Sequence, residues 1–388
     1  MSSVHTIITD DIIAKEALMS LENEMVFGKL VHRDYKNEWG KIGSTVRIRR
    51  PVKFTVRDGA TFTNQNVVEN YETITINKQK GVDFSFSSSE LTESIDKFSE
   101  RYIKPAVSVL ANQVDTDLAN LVLDIPNAVG TVSTTPSSFA TSVALVGARM
   151  DLLAMPRDNR HLVLDPASYW SMAGGQTALL QDKLVKTAYE AAKLGTMGGF
   201  DVFQSQNIVT HTAGTMASCE VSGASQTGSS IYVLGGAGTT FTVGDVVTLA
   251  GSYDVNPITK TALSHLKQFT VTTALTLTGS RNTLVVSPSI ATSGAYQNVS
   301  ASPTTTGAVT KVATHVAGIG FTKQTFALVF LPMELPQGAA FKSRQTYNDL
   351  SIRFIRQYDI DADVEKCRFD ILYGVKTIYP ETGCRLVR

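Results

Sequence analysis

Asp359, Asp361 and Asp363 stand at alternate positions in the stretch YDIDADVEKCRFD, the spacing at which a calcium loop begins. Val364 occupies the place where that loop needs glycine, and Asp370 rather than glutamate falls at its twelfth position. On an alternating strand the three carboxylates share one face. They form an inter-subunit charge patch, a solvated face or, least in keeping with the motif, a metal site. The 6 histidines (His5, His32, His161, His211, His265 and His315) are scattered singly, with no H-E-x-x-H. The glycines of LGGAGTT lack a P-loop lysine, and Gly195–Gly199 lacks the context and spacing of a dinucleotide fingerprint. Cys219, Cys367 and Cys384 are an odd set without a C-x-x-C pair and read as reduced, inert thiols. These residues point to no catalytic constellation, no cofactor and no metal centre.

Two charged stretches suit contacts rather than catalysis. Arg47, Arg49, Arg50, Lys53 and Arg57 crowd one β-arm, either as a solvated face or as a basic strand that meets carboxylates of a neighbouring subunit. Asp10, Asp11 and Glu16 make one side of the N-terminal segment acidic and suited to a basic partner.

The elements that carry these residues change period along the chain. TDDIIAKEALMSLENEM (9–25) is an amphipathic helix with Thr9 as its cap and a stripe of Ile13, Ala17, Leu21 and Met25. It either packs on its own domain or docks elsewhere. Residues 43–86 alternate polar and apolar, with Asp58-Gly59 as a turn signal, and read as a long hairpin without a core of its own. From Ser88 to Asp124, Leu91, Ile95, Phe98, Tyr102, Val109, Val114, Leu118, Leu121 and Val122 recur at helical spacing. Fully helical, that stretch spans roughly 50 Å at ~1.5 Å per residue. Pro105 predicts a kink or restart near Lys104.

Beyond it, helices over Thr141–Ala154 and Gln176–Gly195, a strand over His161–Asp165 and a helix opened by Asp165-Pro166 give an α/β texture. The composition then shifts. Between Val209 and Gly320 only Glu220, Asp245, Asp254, Lys260, Lys267, Arg281 and Lys311 are charged, while β-branched residues alternate in short runs such as SIYVL and KQFTVTTALTLTG. Five or six strands there predict an inserted barrel or sandwich. A buried strand over Ala327–Leu331 and long antiparallel strands to the C-terminus follow.

The chain has 388 residues, enough for two or three domains, and its 35 basic and 35 acidic residues cancel, so no global field favours nucleic acid or membrane. Asp10 and Asp11 interrupt the start too early for a signal peptide, and the run Phe326–Met333 is too short to span a bilayer.

ERYIKPAVSVLANQVD (Glu100–Asp115), GTMGGFDVFQSQNI (Gly195–Ile208), FTVGDVVTLAG (Phe241–Gly251), FALVFLPMELP (Phe326–Pro336) and LYGVKTIYPETGCRL (Leu372–Leu386) follow one another in an order that resembles tailed-phage major capsid proteins. More narrowly, the chain is similar to the short-tailed Salmonella-phage coat family, which carries a β-barrel insertion domain. The resemblance implies an α+β fold of the Hong Kong 97 type. It divides into an N-terminal arm (1–42), an extended hairpin loop (43–86), and a spine helix with the peripheral domain (87–126). The first part of an axial domain (127–208), the inserted barrel (209–320) and return strands (321–388) complete it. It further implies hexameric and pentameric capsomers, an icosahedral head enclosing double-stranded DNA, a scaffolding protein and a portal, with assembly in the host cytoplasm. Two rivals stand apart from it. The barrel as a carbohydrate- or surface-binding module would use Tyr253 and Tyr296, and an α/β enzyme would need a pocket of converging titratable groups.

Overall fold

The computed structural model describes residues 10–34, 45–57, 59–62, 64–65, 69–87, 102–176, 194–216, 218–339 and 341–388. They fall into two compact units, one built from 1–48, 72–118 and 326–376, the other from 49–71, 119–325 and 377–388.

The first unit is a sheet covered by helices. Strands Phe326–Phe330, Val364–Thr377, Leu350–Asp359 and Phe341–Tyr347 lie in that order, and Lys78–Ser87 pairs antiparallel with the Val364 strand. Alternation buries Leu350, Ile352 and Phe354 on one strand and Cys367, Phe369, Ile371 and Tyr373 on the next. Phe354 and Phe369 are cross-strand partners with ring centroids 4.8 Å apart. The two-residue Asn348-Asp349 turn has positive φ at both positions, as a type I′ hairpin requires.

The long helix is described from Lys104 to Ala119, with a 3-10 turn over Asn120–Asp124. It starts with Pro105 in its first turn, where a missing N–H costs nothing. Residues 88–101, the upstream part of the expected spine, lie outside the described residues. The buried face is Val107, Leu110, Ala111, Val114 and Leu118, whereas Val109, assigned to that face from spacing, is 62% exposed. Steps of three and four through Val107 and Leu110 set the face, and Val109 falls between them. Tyr373 donates its hydroxyl to Asp117 at 2.7 Å and Lys78 Nζ lies 3.0 Å from the same carboxylate, fixing helix to sheet.

The N-terminal helix (Asp10–Glu24) lies on the Phe341 and Leu350 strands, and Ile13, Ala17, Leu21 and Met25 are all buried. It therefore packs on its own unit; its expected cap, Thr9, lies outside the described residues. Asp115, buried, accepts N–H bonds from Val26 at 2.5 Å and Gly28 at 3.1 Å and so fixes the turn that follows.

The expected hairpin of 43–86 divides. Thr45–Arg49 and Tyr71–Thr75 form a two-stranded ribbon, but the second arm continues past Ile76 into the five-stranded sheet as Lys78–Ser87. Phe84 and Phe86 of that continuation bury apolar surface that the ribbon itself cannot cover, and Phe84 stands 6.0 Å from Phe369.

The second unit holds a seven-stranded sheet in which Ala128–Gly130, Gly383–Val387, His315–Thr322, Arg160–Leu164, Phe200–Gln204 and Thr196–Met197 lie side by side. Helices Val143–Leu152 and Pro166–Gln176 bury Val146, Met150 and Met172 against Leu162, Leu164 and Phe200. Asp165 caps the second helix, accepting N–H bonds from Ala167 and Ser168 at 3.1 and 3.3 Å. The helix expected over Gln176–Gly195 lies almost wholly outside the described residues.

Between these strands sits a six-stranded barrel, in the order Val309–Lys311, Val246–Val255, Ala262–Val271, Asn282–Ile290, Gly228–Gly235 and Cys219–Val221. Its first and last strands nearly meet: Val221 donates to Gly307 O and Thr306 donates to Val221 O, both at 2.9 Å. Alternate residues fill the interior, with Ile231, Val233, Val247, Leu249, Phe269, Val271, Leu284 and Val286 at 0–1% exposure. The insertion is narrower than 209–320. Thr210–His211 and His315–Thr322 pair with each other in the seven-stranded sheet, so only 212–314 leaves it.

Candidate functional site

The basic arm and its surroundings form the main candidate site, and the chain itself supplies most of its partners. Arg50 donates from Nε and Nη2 to the carbonyl of Ile378 at 3.1 and 2.5 Å, and its guanidinium lies 5.5 Å from the Tyr379 ring. Lys53 Nζ stands 3.4 Å from Glu381 and 6.0 Å from the centre of the Tyr296 ring. Arg49 pairs with Glu69 at 3.3 Å, both exposed, and Arg47 is exposed on the ribbon. Arg57 donates to the carbonyls of Gly59 and Thr61 and folds the tip on itself. Gln65 adds a clip, accepting from Thr55 N at 2.8 Å and donating to Thr55 O at 2.6 Å.

This braced loop holds large apolar side chains in solvent. Phe54 is 61% exposed, Val56 96% and Phe62 82%. A loop that displays them offers a surface for another protein to cover.

The three aspartates do not share a strand: Asp359 ends Leu350–Asp359, and Asp361 and Asp363 lie in the turn that follows. Residues 360–363 are the turn between Leu350–Asp359 and Val364–Thr377, with Asp363 at φ +50°. Aspartate tolerates that conformation, and a turn breaks the two-residue alternation that would align the carboxylates. Asp359 pairs with Lys366 at 2.5 Å, and that hydrogen bond holds its carboxyl below the usual range. Asp363 accepts the Tyr358 hydroxyl at 2.6 Å, and Asp361 is exposed. Among the described residues no group of three His, Cys, Asp or Glu side chains is placed to hold a metal. Asp10 opens the N-terminal helix and Glu16 is half-buried on it. Asp11 accepts from Ser343 Oγ at 2.5 Å and Gln345 Nε2 at 3.3 Å.

The sequence from residue 2 to 387 matches the family model described as P22 coat protein, gene protein 5. The chain belongs to the P22 coat protein family. It is a bacteriophage major capsid protein of the Hong Kong 97-type fold, it assembles into capsid oligomers, and its place is the virion shell. No curated protein matches this coat protein by sequence. A solved structure from Mycobacterium phage Che8 is 14% identical, with 93% of this chain and 90% of that one covered at a TM-score of 0.50. The capsid structure of Cyanophage P-SCSP1u is 13% identical, with 94% and 88% covered at a TM-score of 0.48.

Sequence reasoning passed over the buried charges that join the coat protein's barrel to its seven-stranded sheet. Arg385 is fully buried, yet donates to the carbonyls of Ile125 at 2.8 Å, Gly244 at 2.9 Å and Leu123 at 2.7 Å. Gly244, at φ +92°, brings its backbone so close to Leu123 that a Cβ would stand 3.0 Å from that side chain. Asp245 and Asp254 are wholly buried. His211 Nε2 lies 2.8 Å and Lys311 Nζ 3.6 Å from Asp245. Burial acts to raise the Asp245 carboxyl, but the His211 and Thr242 hydrogen bonds and the Lys311 charge outweigh it and hold it below the usual range. Asp254 is held low in the same way, against its burial, by His265 at 3.3 Å and Lys267 at 3.1 Å. Arg149 stands 4.0 Å from it. The signal was available: few charges break the barrel's β-branched alternation, and a lone aspartate in such a run needs a buried cation.

Proposed function

We propose that this coat protein closes an icosahedral head as hexamers and pentamers around double-stranded DNA, with geometry rather than catalysis as its output. The observation that carries this reading is the loop beyond Arg50, whose described residues present Phe54, Val56 and Phe62 to solvent. Laid on the adjacent copy, each loop makes a heterologous contact, and heterologous contacts whose rotation closes build rings. Many weak copies of one contact then sum to a stable wall. A formal net charge of zero leaves little repulsion between copies and no strong grip on the packaged DNA.

Arg47, Arg49 and Asp361, all exposed, are the charged groups suited to a contact between copies. A scaffolding protein would meet the acidic face of Asp10, Asp11 and Glu16, and a portal would occupy one vertex. Unchanged scaffold binding by the triple alanine variant of that face would remove it from the interface.

The central test is sedimentation and negative-stain imaging of the parent and of Phe54→Ser/Phe62→Ser, alone and with scaffolding protein. The parent is expected to form particles or capsomer rings, and the double variant to stay unassembled with an unchanged melting temperature, because both rings are solvent-exposed in the single chain. Normal particles from the double variant would refute the loop contact.

A further inference from the structure

The barrel leaves the seven-stranded sheet after His211 and returns at His315, and these two buried rings face each other with centroids 5.5 Å apart. Ala213 N donates to Thr314 Oγ1 at 3.1 Å, so the outgoing and returning segments touch at the root of the insertion. His315 donates Nδ1–H to the carbonyl of Ala313 at 2.7 Å, which leaves Nε2 as its basic nitrogen. That atom is buried and has no hydrogen-bond partner among the described residues.

Three other ionisable groups, His211, Asp245 and Arg385, act on this ring, and Lys311 stands behind Asp245. His211 comes from the outgoing strand, Asp245 from the turn over 242–245, Lys311 from the last barrel strand and Arg385 from the neighbouring sheet strand. Asp245, the one acid among them, is already shared between His211, Lys311 and the N–H groups of Thr242 and Gly214.

We infer that the His315–His211 pair is a proton-sensitive pin, which keeps the root of the barrel closed while His315 is neutral and loosens it when His315 takes a proton. An unpaired neutral acceptor in a buried site costs less than an unpaired buried charge. A proton on Nε2 creates a buried cation whose new N–H finds no acceptor, next to Arg385 and against the imidazole of His211. Burial accordingly pushes the His315 imidazole down, to about 4 from an ordinary 6.5. A base held low in the closed root binds fewer protons there than in the opened one. The pin's stability is therefore full above 6.5 and falls as pH drops towards about 4. Within that window the opened population rises by up to about tenfold per pH unit.

Hydrogen exchange of the full-length chain, corrected for intrinsic rates, reads this directly at neutral pH and near pH 5. Protection of peptides spanning 206–216, 240–248 and 309–322 is expected to fall about tenfold, while the barrel strand over 282–290 keeps its own. His315→Gln keeps an amide donor for Ala313 O but cannot charge, so it is expected to flatten that dependence. Should the variant fail to fold, the carbon-detected titration of the His315 ring in the parent decides. A ring that titrates in the ordinary range, or root peptides whose protection ignores pH, would overturn the inference.

Discussion

Arg385→Leu is expected to lower the unfolding free energy of the coat protein by about 4 kcal/mol, read by urea denaturation of the full chain. The side chain is fully buried and spends its guanidinium on three carbonyls from two separate places, the segment Leu123–Ile125 and the barrel turn at Gly244. Leucine fills much of the volume but supplies no donor. Each abandoned buried carbonyl costs about 1–3 kcal/mol, and three of them exceed what the added apolar contact returns. Arg385→Lys keeps the charge but only one donor head, so it recovers a minority of the loss. A leucine variant within about 1 kcal/mol of the parent would mean that water or a backbone shift satisfies those carbonyls.

Asp254→Leu is the second large effect, expected at about 3 kcal/mol, because it strands Lys267 in a site with almost no solvent. The double variant Asp254→Leu/Lys267→Met removes both charges and is expected to regain most of that loss, since an apolar pair replaces a buried ion pair at little cost. Non-recovery would assign the stability to His265 and Arg149, which contact the same carboxylate. The sign with pH separates this site from the histidine pin. A carboxyl held below 3.8 contributes fully above that value and is lost only as pH falls beneath it. The pin weakens earlier, between 6.5 and about 4. Acid unfolding should therefore begin at the root of the barrel and reach its interior later.

Much of the architecture was legible because it rests on local periodicity. Ile231, Val233, Phe269 and Val271 alternate in the sequence as they do in the barrel, and Ile13, Ala17, Leu21 and Met25 mark the buried helix face. The partition of strands was less so. Nothing local separates Tyr71–Thr75 from Lys78–Ser87, because the register of the latter is set by Val364–Tyr373, nearly three hundred residues away. The charged sites were the least legible. Arg50 and Arg385 bind carbonyls, which every residue carries and no sequence marks. The Asp359–Asp363 spacing suggested a strand, and only the backbone shows the turn that scatters the three carboxylates.

The three cysteines are each buried, one in the barrel, one in the five-stranded sheet and one in the seven-stranded sheet. Burial pushes the Cys219 thiol up to about 11 and the Cys384 thiol to about 12, so neither reacts while its surroundings stay closed. The coat protein thus carries a native alkylation clock in each of its three largest described sheets. Thiol by thiol, the order in which Cys219, Cys367 and Cys384 become reactive would date the opening of each layer in free subunits and in finished shells, with no label added.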